Sequence, residues 1–83
     1  MAERTKPKRI RIRKIKSDAV WGLALHDKRE IHLDERMDDK TLLDIASHET
    51  LHIELPDMDE SAVDRAARSI ADVLWRLGFR QEE

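Results

Sequence analysis

The chain has 83 residues, which allows one small domain with a thin hydrophobic core. Hydrophobic residues make up 40% and charged residues 41%, with a net charge of −2, yet periodic aliphatic residues exclude a chain that is disordered throughout. The absence of cysteine excludes disulfides and thiolate metal sites, so histidine and carboxylate side chains are the available metal ligands.

The first sixteen residues are strongly basic. They contain eight Lys or Arg residues and one acidic residue, which gives a net charge of +7. The remaining residues contain eight Lys or Arg residues and seventeen acidic residues, which gives a net charge of −9. Residues 1–8 offer little to bury and are predicted to form a flexible basic arm, ahead of a single domain over residues 9–80. We expect the basic segment either to lie against the acidic body, which we favour, or to make a weak contact with nucleic acid.

Three strands are predicted at the start of the domain. Residues 9–13 alternate basic and apolar side chains, which is typical of a strand with one face in solvent. A second apolar run covers residues 19–25, and a short polar stretch connects it to the alternating residues 31–34, as in a hairpin. We therefore predict an α+β domain that begins with a three-stranded antiparallel sheet.

Two helices are predicted after the sheet. Asp38 can cap the first helix, which is expected to run to about Leu55 because Pro56 cannot continue it. Asp59 can cap the second helix, and Gly78 suits its left-handed end. The apolar spacing predicts a first helix that is enclosed almost all round. The second helix carries small residues that would allow close packing on the first: Ala66, Ala67 and Ala71.

The first helix contains the sequence HETLH at residues 48–52. His48 and His52 lie one turn apart and can hold one metal ion, while Glu49 is offset around the helix and can serve as general base for a bound water. The two histidines flank Ile45 on an apolar helix, which favours a site over a chance match. The alternative is a pair of partly buried histidines satisfied by protein groups, with no metal.

A catalytic zinc usually has three protein ligands, so a third is expected on the second helix. Glu60 and Asp64 lie at the edge of its apolar stripe, where a carboxylate needs a partner. We assign Glu60 as the third ligand and Asp64 as the carboxylate that orients a ligating histidine. The reverse assignment is the alternative, and Glu60 could also be a first-turn acid that favours the helix dipole.

These elements and motifs together resemble the zincin metallopeptidases. Over residues 21–79 the chain looks like their minimal, phage-type members, related to the SprT-like and ImmA/IrrE groups, with residues 42–52, 59–63 and 74–78 carrying the similarity. The resemblance to gluzincins implies a zincin-like core in which Glu49 is the general base, Glu60 a zinc ligand and Asp64 its supporting acid. It also implies an edge strand that aligns an extended peptide, for which residues 31–34 are the candidate.

We therefore expect a zinc-dependent metallopeptidase that hydrolyses peptide bonds through a zinc-bound water activated by Glu49, with a peptide or protein as substrate. The resemblance also implies a Tyr, His or Arg that stabilises the tetrahedral intermediate; the chain has no tyrosine, no motif marks His26, His32 or an arginine for this role, and we assign it to no residue. The alternative function is a small non-catalytic accessory protein that binds nucleic acid or protein, with a structural or absent metal. No membrane segment or secretory signal is visible, so we expect a cytoplasmic protein, in the host cytoplasm if a phage encodes it.

Overall fold

A computed structural model describes residues 8–82 of the protein. The predicted arm over residues 1–8 therefore lies outside the described residues, apart from Lys8, which is exposed. The described chain is a small α+β domain with three strands and two helices, as predicted. Its elements are β1 (Arg11–Ile15), β2 (Gly22–Leu25), a 3-10 turn (His26–Lys28), β3 (Glu30–Asp34), α1 (Asp39–Glu54) and α2 (Glu60–Arg76).

The sheet is mixed, so the prediction of a purely antiparallel sheet is wrong. The strand order is β1-β3-β2, with β3 in the centre. β3 pairs antiparallel with β2, as the hairpin predicts, and parallel with β1. Alternating apolar and polar residues identify a strand and its buried face, but they do not show which strands lie next to each other in the sheet. Here the segment between β1 and β2 crosses the end of the sheet, and β3 then enters between the two earlier strands.

Asp34 holds this crossing segment in place at the end of β3. Its carboxylate accepts hydrogen bonds from the backbone N–H of Ser17 (3.2 Å) and from the backbone (2.9 Å) and guanidinium (2.7 and 3.0 Å) of Arg36. The Arg36 guanidinium in turn donates to the Ser17 carbonyl at 2.6 Å. The hydrogen bonds from Arg36 are the main cause of a pKa of Asp34 well below its usual range. The buried carboxylate is therefore fully paired.

α1 packs on one face of the sheet and builds the core with it. The buried cluster consists of Ile31, Leu33, Met37 and Ile53. α1 is less enclosed than its apolar spacing predicts, because Ile53 is its only buried residue. Its far side borders an apolar groove shared with α2, since so small a domain has too few elements to cover both sides of a helix.

The predicted helix ends are confirmed. Asp38 accepts a hydrogen bond from the N–H of Thr41 at 2.8 Å, and Asp59 accepts one from the N–H of Ala62 at 2.9 Å. Gly78 has a φ of +92°, the left-handed conformation that closes α2. No helix among the described residues has the length and apolar character needed to cross a membrane.

α2 runs antiparallel to α1. Its inner face is made of Val63, Ala67 and Ala71, all buried, and these small side chains let the two helices approach closely. Lys40 at the start of α1 lies over the ring of Trp75 near the end of α2, at 5.6 Å. The second half of α1, which carries the HETLH sequence, consequently faces the first turns of α2.

Candidate metal centre

His48 and His52 project from the same face of α1 toward α2. Their Nε2 atoms are 3.1 Å apart, and the ring centroids are separated by 4.8 Å. Both side chains are largely shielded, with 16% and 22% of their surface exposed. The i, i+4 spacing on a helix places two imidazoles one above the other, so two nitrogens converge on one point.

Glu60 joins the two histidines from the start of α2. Its Oε1 lies 3.0 Å from the Nε2 of His48, and its Oε2 lies 3.2 Å from the Nε2 of His52. The three residues form a group that could hold a metal ion. The side chain of Glu60 is 65% exposed, so the group opens to solvent on this side.

Asp64 contacts the opposite nitrogen of one histidine. Its Oδ1 lies 3.1 Å from the Nδ1 of His48. With Nδ1–H donating to this carboxylate, the lone pair on Nε2 of His48 is directed at His52 and Glu60. Of the two carboxylates, only Glu60 approaches both Nε2 atoms, which favours it over Asp64 as the third ligand.

The donor atoms of the group lie close enough together to reach one metal ion. Ligands at about 2.0–2.1 Å from a tetrahedral zinc are separated from one another by roughly 3.4 Å. In this group the two Nε2 atoms are 3.1 Å apart, and each contacts a different oxygen of Glu60: Oε1 is 3.0 Å from His48 and Oε2 is 3.2 Å from His52. Two imidazoles and one carboxylate are also a donor set that zinc uses when one coordination position is kept for water.

Glu49 lies on α1 beside the group, where its side chain meets β2. A Cβ atom built on Gly22 would lie 3.0 Å from Cγ and 3.1 Å from Oε2 of Glu49, and only 2.6 Å from Cγ2 of Ile45. Burial raises the pKa of Glu49, and His48 and His52 oppose this shift. A carboxylate with a raised pKa is a better proton acceptor than an exposed one, which suits a general base.

Gly22 was not predicted from the sequence as a residue of the site. A glycine inside an otherwise apolar strand often marks a close approach of another chain segment, and that signal was present in the run over residues 19–25. What it could not reveal is which segment approaches, because Gly22 and Glu49 are 27 positions apart in the sequence.

The prediction that residues 31–34 form the edge strand is wrong, because β3 is the central strand. The strand with a free edge beside α1 is β2. The N–H of Asp34 donates to the carbonyl of Trp21 at 2.8 Å. In an antiparallel pair every second residue bonds to the neighbouring strand, so the backbone of Leu23 also faces β3. The backbone N–H and C=O groups of Gly22 and Ala24 therefore point away from β3, while the α1-facing side of Gly22 contacts Glu49.

The two other histidines do not join the group. His32 lies on the face of the sheet away from α1, where its Nε2 is 2.6 Å from Oε2 of Glu30. That facing removes His32 as a candidate to stabilise the transition state. His26 is exposed in the 3-10 turn after β2.

Comparisons of the chain with family models, with curated proteins and with solved structures give no match. The resemblance to zincin metallopeptidases stays a prediction made from the motif and the order of elements. The evidence that His48, His52 and Glu60 could bind a metal is therefore the positions of their side-chain atoms.

Proposed function

We propose that this protein is a zinc-dependent metallopeptidase. The observation that carries the proposal is the convergence of His48, His52 and Glu60 within hydrogen-bonding distance of one another, with Asp64 on the far nitrogen of His48. Glu49 adds a partly shielded carboxylate next to this group. Simple helix pairing does not require a second carboxylate behind the first, whereas a metal centre uses one to fix a histidine tautomer.

Each residue has a distinct role in the proposed reaction. His48, His52 and Glu60 would hold the ion, and Asp64 would accept the Nδ1–H hydrogen bond of His48 so that Nε2 is free to bind. Zinc bound there supplies a Lewis acid and lowers the pKa of water. Glu49 accepts the proton of the attacking water and passes it to the departing amine.

The free edge of β2 suits an extended peptide. Within residues 8–82 no strand pairs with the outer edge of Gly22 and Ala24, and Glu49 contacts Gly22 on the α1 side, so a substrate strand can pair along this edge by main-chain hydrogen bonds. Main-chain pairing selects for extended conformation rather than for particular side chains. We expect unfolded or flexible segments of proteins to be the substrates.

Replacement of Glu49 by glutamine tests the mechanism. Glu49→Gln removes the proton acceptor but leaves the three ligands, so it should retain zinc and lose at least about a hundredfold in cleavage rate. The readouts are elemental analysis of the purified protein and cleavage of a quenched fluorescent peptide library, with and without chelator.

His52→Ala tests the ligand assignment, and His26→Ala is its matched control. The first variant should lose stoichiometric zinc, whereas the second should keep it. Full activity of Glu49→Gln would contradict the mechanism, and stoichiometric zinc in His52→Ala would contradict the ligand set. Zinc binding without cleavage of any library peptide would instead favour the accessory protein with a structural metal.

A further inference from the structure

The sheet has a second face that no helix covers within residues 8–82. α1 packs on the side of Ile31 and Leu33, so the side chains that alternate with these point the other way. The register places the following residues on this open face: Arg11, Arg13 and Ile15 from β1, Glu30, His32 and Asp34 from β3, Leu23 and Leu25 from β2, and Trp21 just before β2.

The two edges of the open face differ in chemistry. At one edge Arg11 and Arg13 are both exposed, and Arg9 precedes them by one strand repeat. At the other edge Trp21 is 55% exposed and Leu23 is 44% exposed. A cationic edge and an aromatic edge thus lie on the same face of the sheet, about 10 Å apart across the two strand spacings.

The acidic residues in the centre of this face are already paired. Glu30 lies 3.5 Å from Arg11 and 2.6 Å from His32, and Asp34 is held by Arg36. Arg13 has no ion pair with any of the described residues. Glu30 therefore offsets part of the positive charge of the β1 edge through Arg11, while Asp34 is taken up by Arg36, so Arg13 is the cation of this edge that keeps most of its charge for a ligand.

We propose that the open face binds single-stranded nucleic acid, with Arg13 and Arg11 pairing with phosphates and Trp21 stacking on a base. Guanidinium groups spaced along a strand at about 6.6–6.8 Å can follow a phosphate backbone, and an exposed indole offers the stacking contact that unpaired bases seek. In a duplex the bases are stacked on each other, so the aromatic edge favours a single strand.

This surface is independent of the candidate metal centre. The group of His48, His52 and Glu60 lies between α1 and α2, on the opposite side of the sheet. Nucleic-acid binding should consequently survive removal of zinc by a chelator. Failure of the proposed peptidase activity and failure of this proposal are therefore separate outcomes.

The test is fluorescence anisotropy of a labelled twelve-nucleotide oligothymidine titrated with the full chain at several salt concentrations. Arg13→Ala should lower the slope of log K against log salt by about 0.7, the value for one phosphate contact on a single strand. Trp21→Ala should weaken binding about tenfold with an unchanged slope, because stacking releases no counterions. Trp21→Phe should recover most of the loss if the fold and the stacking are both intact.

Arg65→Ala on the exposed surface of α2 is the matched control and should change neither the affinity nor the slope. Equal affinity for a duplex of the same length would overturn the proposal. Equal competition by a heparin fragment, combined with no effect of Trp21→Ala, would show a general polyanion surface instead. Absence of saturable binding at about 50 mM salt, where phosphate contacts are strong, would also overturn it.

Discussion

Gly22 lies where β2 comes closest to Glu49, and its missing side chain allows that contact. Any other residue would place a Cβ atom 2.6 Å from Cγ2 of Ile45, well inside the normal contact distance. The strand would have to move away from α1, or the side chains of Ile45 and Glu49 would have to turn. A single residue thus links the free edge of the sheet to the proposed general base.

We expect Gly22→Ala to destabilise the protein by about 1–3 kcal/mol, as overpacking of a well-fitted contact does. Urea unfolding measures the effect. In an Ile45→Ala background the clashing methyl group is absent, so the same substitution should be much less destabilising. Additive effects of the two substitutions would contradict a direct contact between these residues.

Asp34 is a buried acid whose hydrogen bonds should make the stability of the protein depend on pH. Its pKa in the folded protein lies below the value of about 3.9 in an unfolded chain, because Arg36 and the N–H of Ser17 stabilise the carboxylate. The stabilisation is present above the unfolded pKa and is lost as pH falls below about 4 toward the folded pKa.

Asp34→Asn should therefore lower the free energy of unfolding at pH 7, with a difference from the wild type that shrinks at pH 3 and below. Urea unfolding at pH 7, 4 and 2.5 measures this difference. Asp57→Asn, in the exposed connection between the helices, is the control and should show little effect at any pH. A difference for Asp34→Asn that stays constant with pH would rule out this role.

At the scale of elements, the start of α2 combines a cap with a candidate ligand. Asp59 accepts a hydrogen bond from the N–H of Ala62, and Glu60 is the first residue of the helix. The position of the Glu60 backbone therefore depends on an ordered first turn. The cap of α1, Asp38, lies ten positions before His48 and has no comparable link to the candidate ligands.

Asp59→Ala should destabilise the protein by about 1 kcal/mol and weaken zinc binding several-fold, because fraying of the first turn releases Glu60. Asp38→Ala should also lower the urea midpoint but leave zinc affinity unchanged. Competition with a zinc chelator measures the affinities, and Asp59→Ser should restore both properties. Equal loss of zinc affinity in the two variants would indicate a general effect of stability instead.

At the scale of the whole molecule, the candidate metal-binding group of His48, His52 and Glu60 connects α1 to α2. The two helices otherwise meet through small side chains, and an apolar groove beside them stays open. An ion held by both helices would bind only the folded arrangement. Zinc binding and folding should therefore be coupled in this small domain.

At zinc concentrations a hundredfold above Kd, the free energy of unfolding should rise by about 2.7 kcal/mol. For a domain of this size that corresponds to a rise in Tm of about 10–20 °C. Thermal unfolding followed by circular dichroism with zinc and with chelator measures the shift, and His52→Ala should show none. An identical Tm under both conditions would contradict the proposed metal centre.

The sequence determined the local features of this protein. Alternating side chains, the capping residues Asp38 and Asp59, and Gly78 predicted three strands and two helices, because these signals act between residues a few positions apart. The i, i+4 spacing likewise placed His48 and His52 on one face of a helix.

Only the tertiary structure decided the contacts between distant segments. It showed β3 in the centre and β2 at the free edge, because strand order depends on the path of the segment that crosses the sheet rather than on periodicity. The approach of Gly22 to Glu49, and the contact of Glu60 and Asp64 with opposite nitrogens of His48, depend in the same way on packing between elements. Such contacts are fixed by how whole faces fit together, and no local pattern in the chain specifies them.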